Sequence, residues 1–171
     1  MENIHLLLVI YLKDLSVNMM MLLTVMFLII DIVSKLIVSN LMNASDSIAI
    51  IKDFFYITYV RNTGAAWSIF SGETWFLIIL SLIIISGIVY YINKNKPKDK
   101  FEIFGYSMIL GGALGNFIDR IVYGYVIDFI DIYIFGYDYP IFNMADGFIL
   151  IGVVILIIYT WRCNDGNKSN R

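Results

Sequence analysis

The chain has 171 residues, 60% of them hydrophobic and 15% charged, with a formal net charge of −2 and a mean hydropathy of +0.79. Soluble domains carry about 25% charged residues, so this composition points to lipid as the solvent, and the absence of excess positive charge argues against a nucleic-acid partner. A single cysteine, Cys163, and a single histidine, His5, exclude an internal disulfide, a multi-cysteine metal site and any Ser–His pair away from the N-terminus.

A helix crosses a membrane with about 20 apolar residues, each adding about 1.5 Å across a hydrocarbon core of roughly 30 Å. Four segments meet that requirement: 20–42, 71–92, 101–121 and 144–162. Ahead of them, "IHLLLVIYL" is too short to span and is followed by Lys13 and Asp14. It reads as an interfacial turn or part of a signal-like segment, although no small-residue cleavage site follows. The run Met19-Met20-Met21 is compatible with a later translation start, and residues 1–18 form an extension with no assigned function. The expected organisation is then one membrane domain, 19–162, and a short tail, 163–171.

Span one contains Asp31 and Lys35, four positions apart on one helix face with the acid first, the favourable order. Two readings stand. The pair neutralises itself and lowers an insertion cost of about 2.5–3.5 kcal/mol per charge, or it faces the bundle and positions other polar groups. In the loop 43–70, "FFYITYV" has the β-branched and aromatic content of a strand, and "NTG" after it reads as a turn.

Span two leads into "NKNKPKDK" and then into span three, which ends in "GGALGNFIDR". Gly111, Gly112, Ala113 and Gly115 make a smooth surface for close helix approach. Asn116, Asp119 and Arg120 follow at i, i+3 and i+4 on one face. Arg120 complements the C-terminal dipole whereas Asp119 opposes it, so Asp119 is expected to pair with Arg120 or a neighbour. In the next loop, 122–143, "YVIDFIDIYIF" is strand-like and "GYDYP" suits a hairpin. The two loops should build a small sheet on the ends of the helices. Many of the twelve tyrosines suit the membrane interface, where an amphipathic ring is at home.

Before span four, Asn143 has the position of an N-cap and Asp146 that of the third helical residue, where an acid is favoured. That dipole would hold Asp146 ionised. Asp128 lies in the alternating, half-buried stretch, where a lone acid is disfavoured. If the two carboxyls meet they share one proton, the arrangement by which aspartic proteases take a proton from water and lend one to a carbonyl. Spacing alone leaves that pairing open. Positive charges set the orientation: Lys13, Lys94, Lys96, Lys98, Lys100, Arg162, Lys168 and Arg171 fall on one side, against Lys52, Arg61 and Arg120 on the other. Both termini are therefore expected in the cytoplasm, with the acidic loops outside.

Five segments in order now form a specific pattern: "DIVSK" at 31–35, "YVRNTGAAWSIF" at 59–70, "GGALGNFIDR" at 111–120, "VIDFID" at 126–131 and "FNMAD" at 142–146. In these the chain resembles the lipoprotein signal peptidases (signal peptidase II), aspartic peptidases of bacterial membranes. The resemblance implies that Asp128 and Asp146 form a catalytic dyad. It also implies that Asp31, Lys35, Asn62, Gly112, Asn116, Asp119, Arg120, Asn143 and Ala145 shape or support the site. The family's first block usually has Gln after its aspartate, where this chain has Ile32, a departure that bears on a local hydrogen bond. The implied substrate is a prolipoprotein carrying a diacylglyceryl group on its cysteine, cut just before that cysteine at the outer face of the cytoplasmic membrane. No metal-ligand cluster is evident and no cofactor is expected; nothing demands more than a monomer. A proton-coupled carrier is the reading from another class, since intramembrane acids often form relays.

Overall fold

The computed structural model describes residues 2–65 and 69–169, with side chains placed for 16–65 and 69–163. Among the described residues four helices and four strands follow in the order α1 (Glu2–Leu41), β1 (Ser47–Ile51), β2 (Phe55–Asn62), α2 (Thr74–Asn95), α3 (Lys100–Tyr123), β3 (Val126–Ile134), β4 (Tyr137–Asp138) and α4 (Met144–Ser169). Each helix contains a stretch long and apolar enough to cross a membrane: Ser16–Leu41, Thr74–Asn95, Lys100–Tyr123 and Met144–Cys163. These match the four expected spans to within a few residues. At the N-terminus the expected interfacial turn is absent. Residues 2–41 contain neither Gly nor Pro, so nothing interrupts the helix, and Lys13 and Asp14 lie within α1.

Helix α3 packs against the other three and is the most buried span. Its glycines set how close the partners come. A Cβ on Gly111 would fall 2.7 Å from Cβ of Phe27 on α1, one on Gly112 would strike the backbone of Ala145 on α4, and one on Gly115 would strike the Asp31 carboxylate. The smooth surface expected from "GGALG" therefore serves two partners, with Gly111 and Gly115 against α1 and Gly112 against α4. Phe27, Met108 and Phe148 fill the seam between α1, α3 and α4. Asp99 starts α3 by accepting a hydrogen bond from the Phe101 N–H (2.8 Å).

The strands form one antiparallel sheet in the order β1-β2-β3-β4. Strands β2 and β3 pair with Val60 opposite Asp128 and Asn62 opposite Val126. Hairpin β3–β4 turns at Phe135 and Gly136, both at positive φ (52° and 80°), the geometry of a two-residue turn matching strand twist. Strand β1, "SIAII", is not among the expected elements. It is an exposed edge strand, and its short apolar run has no polar alternation to distinguish it from a loop. The sheet sits where α1 and α3 end and α2 and α4 begin. Val38, Tyr59, Ile127 and Phe129 make the core that joins it to α1.

Candidate active site at the sheet end of the bundle

Asp128 occupies the middle of β3, and Asp146 the first turn of α4. Both line one cavity of about 660 Å³, together with Asn62, Asn116 and Arg120. The remaining wall is apolar, with Ile132 and Ile134 from β3, Leu150 from α4 and the segment Tyr139–Phe142 among its residues. Phe142 is tied to β3 by backbone hydrogen bonds with Ile130 (2.7 and 3.0 Å), which fixes that segment against the sheet.

The link between the acids is Asn143. Its backbone N–H donates to Asp146 Oδ2 (3.2 Å) and its Oδ1 accepts from the Asp146 N–H (3.1 Å), a reciprocal capping box that places Asp146 at the positive end of α4. Its Nδ2 donates to Asp128 Oδ1 (2.7 Å) and to Asn116 Oδ1 (3.1 Å). One residue thus starts the helix and holds both carboxylates, Asp146 through its backbone N–H and Asp128 through its side chain. Asn62 Nδ2 donates to the other oxygen of Asp128 (2.8 Å). Asp128 is 2% exposed. Its carboxyl is raised from the ordinary carboxylate range to about 7, first by burial and then by the charge of Asp146, against the hydrogen bonds from Asn62 and Asn143.

Asn116 continues the network downward. Its Nδ2 donates to Asp146 Oδ1 (2.8 Å), while its Oδ1 accepts from Lys35 Nζ (2.9 Å) and Asn143 Nδ2. Lys35 is buried, and its three N–H groups go to Asn116, to Asp31 (2.7 Å) and to Asp119 (3.0 Å). Because an ammonium only donates, the oxygen of Asn116 must face it, and the amide NH₂ must then face Asp146. Both readings of the Asp31–Lys35 pair hold at once: it is an ion pair, and it orients the group that touches Asp146.

Asp31 has a second role that sequence spacing did not reveal. Its Oδ1 accepts the backbone N–H of Ala145 (2.9 Å), an unpaired donor of the first turn of α4. Span one therefore caps span four, and a contact across 114 residues leaves no local signal. Asp119 does not pair with Arg120. It pairs with Lys35 and accepts the N–H of Ile127 on β3 (3.1 Å). The reason is directional: Asp119 faces the buried lysine, whereas Arg120 turns to the loop and donates to Gly64 O (2.9 Å) and Asn116 O (3.4 Å). Asn62 Oδ1 accepts from the Gly64 N–H (2.8 Å), so Arg120 and Asn62 pin the same turn. Residues Ala66, Trp67 and Ser68 of the second block lie outside the described residues. Asp131, three positions past Asp128, is buried away from the cavity and accepts the Thr58 hydroxyl (2.6 Å).

Fold and site together define a polytopic membrane protein with an acid-lined cavity at one end of its helices. A family profile described as signal peptidase (SPase) II matches residues 23–162. Lipoprotein signal peptidases of Staphylococcus aureus strains JH9 and Newman are 44% identical over 157 residues, 92% of this chain and 96% of theirs. Two solved structures described as bacterial membrane enzymes superpose with TM-scores of 0.81 and 0.76 at 42% and 44% identity. They cover 87% and 84% of this chain and 91% and 92% of theirs. The chain belongs to the signal peptidase II family and is a protease of the aspartic type.

Proposed function

We propose that the protein removes signal peptides from diacylglyceryl-modified prolipoproteins, cutting just before the lipidated cysteine. The observation that carries the reading is the pair of carboxyls held by Asn143 in the wall of a cavity whose other flank is apolar. Asp146 accepts a proton from water as the water oxygen attacks the scissile carbonyl carbon. Asp128, the seat of the shared proton, protonates the carbonyl oxygen. When the tetrahedral intermediate collapses, the proton held by Asp146 passes to the leaving amine and Asp128 recovers its own. Asn62, Asn116 and Asn143 hold the two carboxyls in register. The apolar flank suits acyl chains and a signal helix that stay in lipid. Charge counting supports an extracytoplasmic site, since eight basic residues fall on the opposite side against three on this one.

The decisive comparison offers purified protein a diacylglyceryl-modified precursor and its unlipidated twin. Cleavage of the first alone is expected; equal cleavage of both removes the lipid from recognition.

The proton on Asp128 sets the pH dependence. Below a pH of about 7 Asp128 is protonated and can act as the acid; above it that proton is lost and the acid with it. With free precursor, log kcat/KM should bend downward near pH 7 and fall about tenfold per further unit. A flat profile from pH 6 to about 9 contradicts the assignment of the proton to Asp128.

A further inference from the structure

A second cavity, of about 520 Å³, meets the first at Asp128. Asn62, Asp128, Tyr139, Pro140 and Ile141 border both, so the two chambers adjoin at the same acid. Their chemistry differs. The first is walled chiefly by aliphatic side chains, whereas the second is lined by Arg61, Thr63, Ser71 and Asp138.

These polar groups are held in place. The Arg61 guanidinium lies over the rings of Tyr125 (5.2 Å) and Tyr59 (5.8 Å), and its Nε donates to the Tyr59 hydroxyl (3.3 Å). The Thr63 and Ser71 hydroxyls are hydrogen-bonded (2.9 Å) across the loop. Asp138 stands on β4, opposite Tyr133. Arg61 and Asp138 are both exposed at the border of the cleft.

We infer that this second chamber is the subsite for the polypeptide on the far side of the scissile bond, the polar stretch that follows the lipid-bearing residue. The inference rests on the peptidase reading above and adds to it where the retained product lies. A peptide bond presented to Asp128 has chain leaving it in both directions. The signal helix and the acyl chains are apolar and belong with the lipid-compatible chamber. The chain beyond the modified residue is bound for water, and its N–H and C=O groups would be costly to bury against Ile132, Ile134 and Leu150 without partners. The polar chamber offers hydroxyls, a guanidinium and a carboxylate beside the same acid. With one cation and one anion at its border, it favours short polar segments whose charges fall opposite the complementary residue.

The test uses the full chain in detergent micelles and two diacylglyceryl-modified precursors with the same signal peptide. One ends in an amide immediately after the modified cysteine. The other continues for about six polar residues, roughly 20 Å of extended chain. The longer precursor is expected to have a kcat/KM about tenfold higher. Longer precursors carrying either glutamates or lysines in that stretch then report on charge. Asp138→Lys should move the ratio of their kcat/KM values about threefold toward the glutamate form, as an exposed ion pair allows. Thermal unfolding of Asp138→Lys in detergent should match that of wild type, which shows that the variant folds. Equal kcat/KM for truncated and extended precursors, or an unchanged charge ratio in Asp138→Lys, overturns the subsite alone. Failure to cleave either precursor overturns the peptidase reading, and the subsite with it.

Discussion

Asp128→Asn and Asp146→Asn are each expected to leave a folded membrane protein whose turnover of lipidated precursor falls by about 10³–10⁴-fold. The substitutions keep the shape of the side chain and remove only its ability to exchange a proton. Their structural costs differ in origin but are small. At position 128 both carboxyl oxygens accept amide hydrogens, from Asn143 and Asn62. An asparagine there must turn its own NH₂ toward one of those donors and lose one hydrogen bond, about 1 kcal/mol. At position 146 the substitution removes a negative charge from the first turn of α4, about 0.3–1 kcal/mol. An asparagine oxygen can still accept from the Asn143 N–H in the capping box, while its NH₂ then meets the Asn116 amide and that hydrogen bond is lost, about 1 kcal/mol. Thermal unfolding in detergent should therefore shift little while cleavage disappears. Either variant cleaving at near wild-type rate takes that residue out of the chemistry. A variant that fails to fold is answered by the other, because the two sites belong to different elements.

Much of this arrangement was legible before any coordinates. The spans follow from length and apolarity, which the bilayer enforces without help from tertiary contacts. The Asn143–Asp146 capping box is a local pattern, and it forms as its spacing implies. Strands β2 and β3 announce themselves through β-branched and aromatic content, and the hairpin through Gly136. What escaped was non-local or lacked polarity contrast. Strand β1 is apolar on both faces, so alternation cannot mark it. The Lys35–Asp119 pair joins residues 84 positions apart in sequence, whereas Arg120 sits next to Asp119 and suggested itself first. Asp31 capping α4 is hidden for the same reason. The glycines pointed to close packing, but only coordinates could say which neighbour each one admits. Nor does spacing reveal that Tyr139–Ile141 borders both an apolar chamber and a polar one.

Lys35 should prove as critical to the bundle as the acids are to cleavage. Lys35→Met removes the cation that faces Asp31 and Asp119, both of them buried. Breaking a buried ion pair from one side costs about 3–5 kcal/mol, since the remaining carboxylates keep their desolvation penalty and lose their partner. Thermal unfolding in detergent should show a loss of that order. The triple variant Asp31→Asn/Lys35→Met/Asp119→Asn separates the two jobs of the lysine. Without buried charge it should regain most of the stability, and an asparagine oxygen at 31 and at 119 can still accept from Ala145 N–H and Ile127 N–H. Activity should fall, because the Asn116 oxygen then has only the Asn143 amide to hold it away from Asp146. Asn116→Leu added to the triple variant should cost little further activity if Lys35 acts through that amide, whereas in wild type it should cost much. A triple variant that is both stable and fully active would show the lysine to be a charge balance only, with the direction of the Asn116 amide set elsewhere.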